Sequence, residues 1–353
     1  MTQAKLLYIH GWHVSGKTTL AKLLDGHKQL AVMPYHDKLP SAFEKTSRTR
    51  IPYDTAAREF GQDIIAVDKM HSILTKSRYH RLQSFHHGRP VKLVASSKDI
   101  QEAALGEFDF HEFEEAWINR VNSEIKNPAR SIALDRILII ILEEFFEHWL
   151  SYPYQKEDCN YFVGYGEKRS EPMKYLIENY KGSKIIFIRR DPRGCIASKP
   201  PKPETDDLVM DYLKEGAVYE IEQLFNDARE LKRRYPERLL IISFEDLIVN
   251  TENTMSDIVE FLDIEDEKVL MNPTFQGECI DEENHIGEIQ DTWQDMLTRQ
   301  EIEIAELQMG ERGLLSVSPR SWQPYIQMEV MRRIQQLVRR TGKRVAKSRF
   351  YRS

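Results

Sequence analysis

Cysteine is scarce in this chain of 353 residues: Cys159, Cys195 and Cys279 lie far apart, and none belongs to a CxxC pair. That excludes a disulfide framework and a cysteine-based zinc site, and it points to a reducing compartment, the cytoplasm. Long apolar runs are missing too. The most apolar segment, ILIIIL at 137–142, is flanked by Asp135, Arg136 and EEFFEHW. It is too short to cross a bilayer and reads as part of a buried helix. No n-region or cleavage site precedes the first expected strand, so no secretory leader is expected. Positive charge is not in excess: 50 Lys and Arg against 56 Asp and Glu leave a net −6, which argues against nucleic acid as a partner. No two of the eleven histidines lie four residues apart, so no helical His pair offers itself to a metal, and none is expected. Repeats and low-complexity segments are absent.

What is present suits one large α/β domain or two smaller ones. Residues 5–9 read as a strand and 17–25 as a helix. A mainly helical insertion follows at about 40–160, with broad apolar faces in DFHEFEEAWINRVNSEI and SIALDRILIIILEEFFEHWLSY and a strand at RPVKLVAS. YFVGYGEK (161–168), KIIFIRRDP (184–192) and RLLIISFEDL (238–247) read as further strands, with a helix around 172–180. DDLVMDYLKEGAVYEIEQLFNDARELKRRYP reads as one long amphipathic helix stopped by Pro236, and NTMSDIVEFLDI as another helix. Apolar strands alternating with helices predict a doubly wound, largely parallel sheet. The chain ends differently. After Glu329 come nine basic residues, Arg332 to Arg352, and no acid. A solvated helix or a contact to a polyanion or anionic membrane both fit that tail, at about 325–353.

The stretch GWHVSGKT (11–18) satisfies G-x-x-x-x-G-K-[ST] and lies between strand and helix, where the motif works. Glycines let backbone N–H groups converge on phosphate oxygens, the helix N-terminus adds partial positive charge, and Lys17 adds a full one. A kinase would also need a carboxylate to organise Mg²⁺ at the end of another strand. Asp191, Glu245 and Asp246 are the acids on offer, each preceded by polar or basic residues. In FIRRDPRGCIAS (187–198), Arg190 ends a strand and Ser198 follows eight residues later. A guanidinium fork with a hydroxyl beside it suits a second phosphate.

Taken together, these blocks resemble the sulfotransferases that use 3′-phosphoadenosine 5′-phosphosulfate (PAPS). GWHVSGKTTLAKLLDGH is similar to the family's 5′-phosphosulfate loop, GEKRSEPMKYL to its short active-site segment, and KIIFIRRDPRGCIAS to its 3′-phosphate motif. LLIISFEDLIVNTENTMSDIVEFLDI and NPTFQGECIDEENHIGEIQDTWQDMLTRQEIEIAEL resemble its later blocks, so about half the chain is covered. The resemblance implies a single P-loop three-layer α/β domain over 1–353, with a central, mainly parallel sheet flanked by helices. It implies PAPS as co-substrate, with Ser15, Gly16, Lys17, Thr18 and Thr19 at its 5′ end and Arg190 and Ser198 at its 3′-phosphate. Lys17 then serves the leaving group and Lys168 the sulfuryl group. His36, with Asp37 or a nearby acid, is the candidate base that takes the acceptor's proton. His86, His87 and the helix-start residues Asp109, His111 and Glu112 are weaker candidates. His285 and Gly287 fall in the late loop, and Trp293 reads as a core anchor. The acceptor is a hydroxyl or amine, with a saccharide or small metabolite in view. One departure is plain: the family's loop usually carries a basic residue where this chain has Val14, while Lys17 follows the glycine as in a nucleotide kinase. An ATP-dependent small-molecule kinase is therefore the alternative reading.

Overall fold

The computed structural model describes residues 4–33, 39–47, 85–86, 89–90, 110–124, 134–149, 158–166, 168–198, 213, 216–275, 278–279 and 293–309. Its strands are β1 Lys5–His10, β2 Leu30–Val32, β3 Phe85–His86, β4 Arg89–Pro90, β5 Tyr161–Tyr165, β6 Ser183–Arg189, β7 Leu239–Ser243, β8 Thr274–Phe275 and β9 Glu278–Cys279. The helices are α1 Lys17–Leu24, α2 Leu39–Ser47, α3 Phe110–Glu124, α4 Leu134–His148, α5 Ser170–Asn179, α6 Pro192–Ala197, α7 Ala217–Arg234, α8 Phe244–Val249, α9 Thr251–Leu262, α10 Trp293–Met296 and α11 Arg299–Met309. A 3₁₀ turn covers Lys268–Met271.

Five parallel strands make the central sheet, in the order β2-β5-β1-β6-β7. The centre strand explains itself: Leu6 to Ile9 are apolar without alternation, and all are fully buried, as a strand covered on both faces requires. One face carries α1, α9 and the 3₁₀ turn, where Leu20, Leu24, Ile258, Leu262 and Leu270 pack on Leu7, Ile9, Val163 and Ile186. Side chains alternate along a strand, so Phe162 faces the other way, and there Phe146 of α4 stacks on it at 5.6 Å. Helix, sheet and helix form the three layers expected. ILIIIL lies inside α4 with no residue more than 3% exposed. Burial of each of these side chains contributes roughly 1.5–3 kcal/mol.

Register decides where a site can form. Ile9 pairs with Tyr165 on one side and Ile186 on the other, and Arg189 pairs with Ser243. Parallel strands in this register bring the residues after β1, β5, β6 and β7 to one edge of the sheet. β1 sits where the strand order reverses, which is where open α/β sheets bind ligands.

The chain divides into two compact units, Met1–Arg190 with Leu224–Ile289, and Asp191–Gln223 with Gln290–Ser353. The first holds the whole sheet. The second has its own apolar cluster of Ile196, Leu213, Ala217, Val218, Ile304 and Ala305, and Gln308 donates to the Leu213 carbonyl at 2.6 Å.

Three elements differ from expectation. β2, only three residues long, is too short for its alternation to be read. The long helix expected up to Pro236 is interrupted: Gly216 has φ +80°, a left-handed conformation that ends the turn at Leu213, and α7 starts afresh at Ala217. The FEDL residues are helical. Ser243 ends β7 and caps α8, its Oγ accepting from the Asp246 N–H at 3.2 Å. Of RPVKLVAS, Arg89–Pro90 pairs antiparallel with Phe85–His86, and the rest lies outside the described residues.

Candidate active site

The loop after β1 is built on unusual backbone. Gly11 has φ +154° and Gly16 has φ +97°. A Cβ at Gly16 would lie 2.2 Å from Phe244 Cδ2, and one at Gly11 would lie 2.5 Å from Ser15 Oγ. Both positions therefore need glycine for space as well as for φ. Val14 is a branched residue at φ +52°. That conformation costs on the order of 1–3 kcal/mol and persists only where surroundings impose it, most often at functional sites. Gly16 is also the N-cap of α1 and, having no side chain, caps none of the first N–H groups. Those groups lack intrahelical acceptors and carry the positive end of the helix dipole.

Two buried cations converge on this loop. Lys17 is 4% exposed, and its Nζ donates to the Gly11 and Trp12 carbonyls, each at 2.6 Å. Arg190 is 8% exposed; its Nη1 donates to the Val14 carbonyl at 2.6 Å, and its guanidinium lies 4.4 Å over the Phe244 ring. The ring that bars a Cβ from Gly16 is thus the one supporting Arg190. A third cation, Lys168, sits after β5 with Nζ 5.2 Å over the Trp12 ring. Val14 itself supplies no charge, so positive charge comes to the loop from these neighbours.

Ser15 Oγ, Trp12 Nε1 and His10 Nδ1 are buried atoms without hydrogen-bond partners. Leaving such an atom unsatisfied costs about 1–3 kcal/mol, and proteins keep such atoms chiefly where a ligand or water completes them. Two of them, on Trp12 and Ser15, lie in the loop itself, which makes it the candidate binding site.

His10 was not singled out in the sequence, although it closes an apolar run that is buried on both faces. It is fully buried and stacks on Phe187, 5.8 Å between ring centres and 17° between planes. Its Nε2 lies 3.0 Å from the Arg169 carbonyl. A carbonyl only accepts, so Nε2 carries the proton and Nδ1 is bare. Burial first, and the nearby Lys17 charge second, push this imidazole down to about 3, against the opposing bond to Arg169. The unfolded chain protonates the same ring near 6.5. As pH falls from 6.5 towards 3, the unfolded state therefore gains a proton that the folded state refuses, and stability drops. From pH 7 to 5 this amounts to about 2 kcal/mol. Urea unfolding at the two pH values should show that loss in the wild type and not in His10→Phe.

The other expected residues fall as follows. Thr18 and Thr19 lie in the first turn of α1. Ser198 is the C-cap residue of α6 and belongs to the second unit. Asp191 caps the N-terminus of α6 by accepting from the Arg193 N–H at 2.8 Å, and it pairs with the Arg193 guanidinium. That guanidinium lies 4.0 Å over Trp293, which is half-buried. Glu245 accepts from the Ser243 hydroxyl at 2.9 Å. Among the described residues, no group of three or more His, Cys, Asp or Glu could hold a metal ion. His111 and Glu112 are exposed on α3. His36, His87, Asp109, His285 and Gly287 lie outside the described residues, as does the basic tail. Of the described helices, none is long and apolar enough to cross a membrane.

The model of the sulfotransferase family matches residues 7–268, the span that holds all but the first two residues of the sheet, the loop and all three cations. The chain belongs to the sulfotransferase family. Its reaction is the transfer of a sulfuryl group to an acceptor. No curated protein matches this sulfotransferase in sequence. Among solved structures, it is similar to the sulfotransferase domain of the Synechococcus PCC 7002 olefin synthase: 15% identity, TM-score 0.45, 86% of this chain and 95% of that one. Sulfotransferase STF9 from Mycobacterium avium is similar at 11% identity and TM-score 0.41, over 90% of this chain and 78% of that one. Retinol dehydratase, solved with androsterone and the inactive cofactor PAP, is similar at 12% identity and TM-score 0.36, over 89% and 82% of the two chains.

Proposed function

We propose that this sulfotransferase takes its sulfuryl group from PAPS and passes it to an acceptor hydroxyl or amine, on a saccharide or small metabolite. The reading is supported above all by one contact: Arg190, at the end of β6, reaches the carbonyl of Val14 inside the phosphate loop. Two anion anchors thus stand side by side, as a nucleotide phosphorylated at both its 5′ and 3′ positions requires. The donor set fits such a molecule. The N-terminus of α1, Ser15, Lys17, Thr18 and Thr19 take the 5′ end, and Arg190 takes the 3′-phosphate, with Ser198 assigned to it from the sequence.

In the reaction the acceptor oxygen forms a bond to sulfur while the bond from sulfur to the bridging oxygen breaks. The bond's electron pair leaves with adenosine 3′,5′-bisphosphate, and the acceptor's proton goes to a base. Negative charge grows on the bridging oxygen, where Lys17 and the loop amides are suited to meet it. Lys168, carried on Trp12, is suited to the sulfuryl oxygens. His36 is assigned the base role on its sequence position after α1, and the 40–160 insertion is assigned the acceptor pocket. A cytoplasmic location and a polyanion contact by the basic tail are further parts of this reading.

A thermal-shift titration tests the donor. Adenosine 3′,5′-bisphosphate without Mg²⁺ should stabilise the protein, by about 2.7 kcal/mol at a hundredfold excess over Kd. Arg190→Ala should weaken that ligand at least tenfold and leave adenosine 5′-monophosphate nearly unaffected. Stabilisation by Mg-ATP together with indifference to the 3′-phosphate would instead favour the kinase that Lys17 brings to mind.

A further inference from the structure

We infer that His10 is a positioning residue for Lys168, acting through the backbone of Arg169, with Trp12 as the platform on which the lysine rests. The inference builds on the role proposed above for Lys168. Residues 168 and 169 lie between β5 and α5, outside any strand or helix, and follow Gly166 at φ +146°. No sheet ladder holds them in place. Arg169 occupies the N-cap of α5 and makes no side-chain cap bond there. The segment is held from the side instead. The His10 imidazole donates to the Arg169 carbonyl at 3.0 Å, the Trp12 ring lies under the Lys168 ammonium at 5.2 Å, and Arg169 Nη2 donates to Ser41 Oγ of α2 at 3.0 Å.

Two of these three ties come from the end of β1 and the phosphate loop. Lys168 is therefore referenced to the loop itself, although 151 residues of sequence separate it from Lys17. The imidazole is a stiff reference. It is fully buried and stacked on Phe187 of β6, and its single carbonyl bond fixes the tautomer. A lysine on an unsupported connection would sample many rotamers, and a displacement of about 1 Å at a reacting centre costs on the order of 100-fold in rate. The pair at 5.2 Å is within cation–π range, and desolvation of the nearly buried indole strengthens it.

The test uses the full-length enzyme and the best acceptor from a panel of hydroxyl compounds. His10→Phe keeps the ring stack and removes the donor, and should lower kcat roughly 10- to 100-fold. The Kd for adenosine 3′,5′-bisphosphate should change less than threefold. His10→Gln, whose amide can still donate to Arg169, should recover most of the loss. In a Lys168→Ala background, His10→Phe and Trp12→Leu should each cost little more, because residues acting as one unit are not additive. Full additivity with Lys168→Ala, or a loss confined to nucleotide affinity, overturns the inference and leaves the role of Lys168 standing. An unchanged kcat in Lys168→Ala overturns that role, and the inference with it. Nitrogen-15 NMR of the wild-type imidazole needs no variant to fold: Nε2 protonated and Nδ1 bare at pH 7 is expected. The opposite tautomer cannot bond to Arg169 and overturns the inference.

Discussion

Lys17→Met is expected to lower kcat for sulfuryl transfer by roughly 10²–10³-fold, the usual cost of deleting one preorganised group that meets developing charge. Methionine keeps the apolar stem and removes only the ammonium. Lys17 is nearly buried and already bonded to the Gly11 and Trp12 carbonyls, so little reorganisation is needed when charge appears on the leaving oxygen. The Kd for adenosine 3′,5′-bisphosphate should rise less than about tenfold, since transition-state stabilisation appears in kcat more than in product affinity. Lys17→Arg should not restore the rate. A planar guanidinium does not fit between two carbonyls spaced for a point donor. Initial rates with saturating donor, beside calorimetric titration of the bisphosphate, decide the matter. Equal losses in kcat and affinity would remove Lys17 from the leaving-group role.

Gly16→Ala should do still more damage. Backbone at φ +97° disfavours any L side chain by about 1–2 kcal/mol, and a Cβ placed 2.2 Å from the Phe244 ring adds an overpacking cost of about 1–3 kcal/mol. The expected outcome is about 2–5 kcal/mol of lost stability with bisphosphate binding weakened more than 100-fold, because relief of the clash must move either the loop or the ring under Arg190. Gly216 provides the comparison. It has φ +80° and nothing within 4 Å of its would-be Cβ, so Gly216→Ala should cost only the backbone part. Phe244→Ala alone removes a buried core ring. Combined with Gly16→Ala it should cost less stability than the two changes summed, because the clash is gone. It should not restore 3′-phosphate affinity, since Arg190 then loses its support. Denaturant unfolding and nucleotide titration of the four variants separate these effects. Equal stability losses at Gly16 and Gly216 would dismiss the clash.

The features legible in the sequence were those written in short windows. KLLYI is apolar without alternation, and GWHVSGKT carries its glycines at fixed offsets. Both could be read because their signal does not depend on what packs against them. Arg190 at the end of β6 was legible for the same reason: a strand that runs into Arg and then Asp-Pro must stop there. The break at Gly216 was harder to see, since EGAV inside an amphipathic pattern resembles a tolerated glycine until its φ is known. FEDL read as strand because Phe244 continues the apolar run, yet Ser243 caps the turn that follows.

By itself, then, the sequence determined a parallel sheet, a phosphate loop at its central strand, and a guanidinium at the end of a second strand. Each of these is local chemistry repeated at a spacing. Only the tertiary structure decided that Arg190 touches the loop through Val14, that Phe244 occupies the space a Cβ at Gly16 would need, and that His10 reaches Arg169. Those are contacts between residues separated by 159 to 228 positions, or by 176 for Arg190 and Val14. No periodicity encodes them, because they exist only after the sheet register has brought four strand ends to one edge.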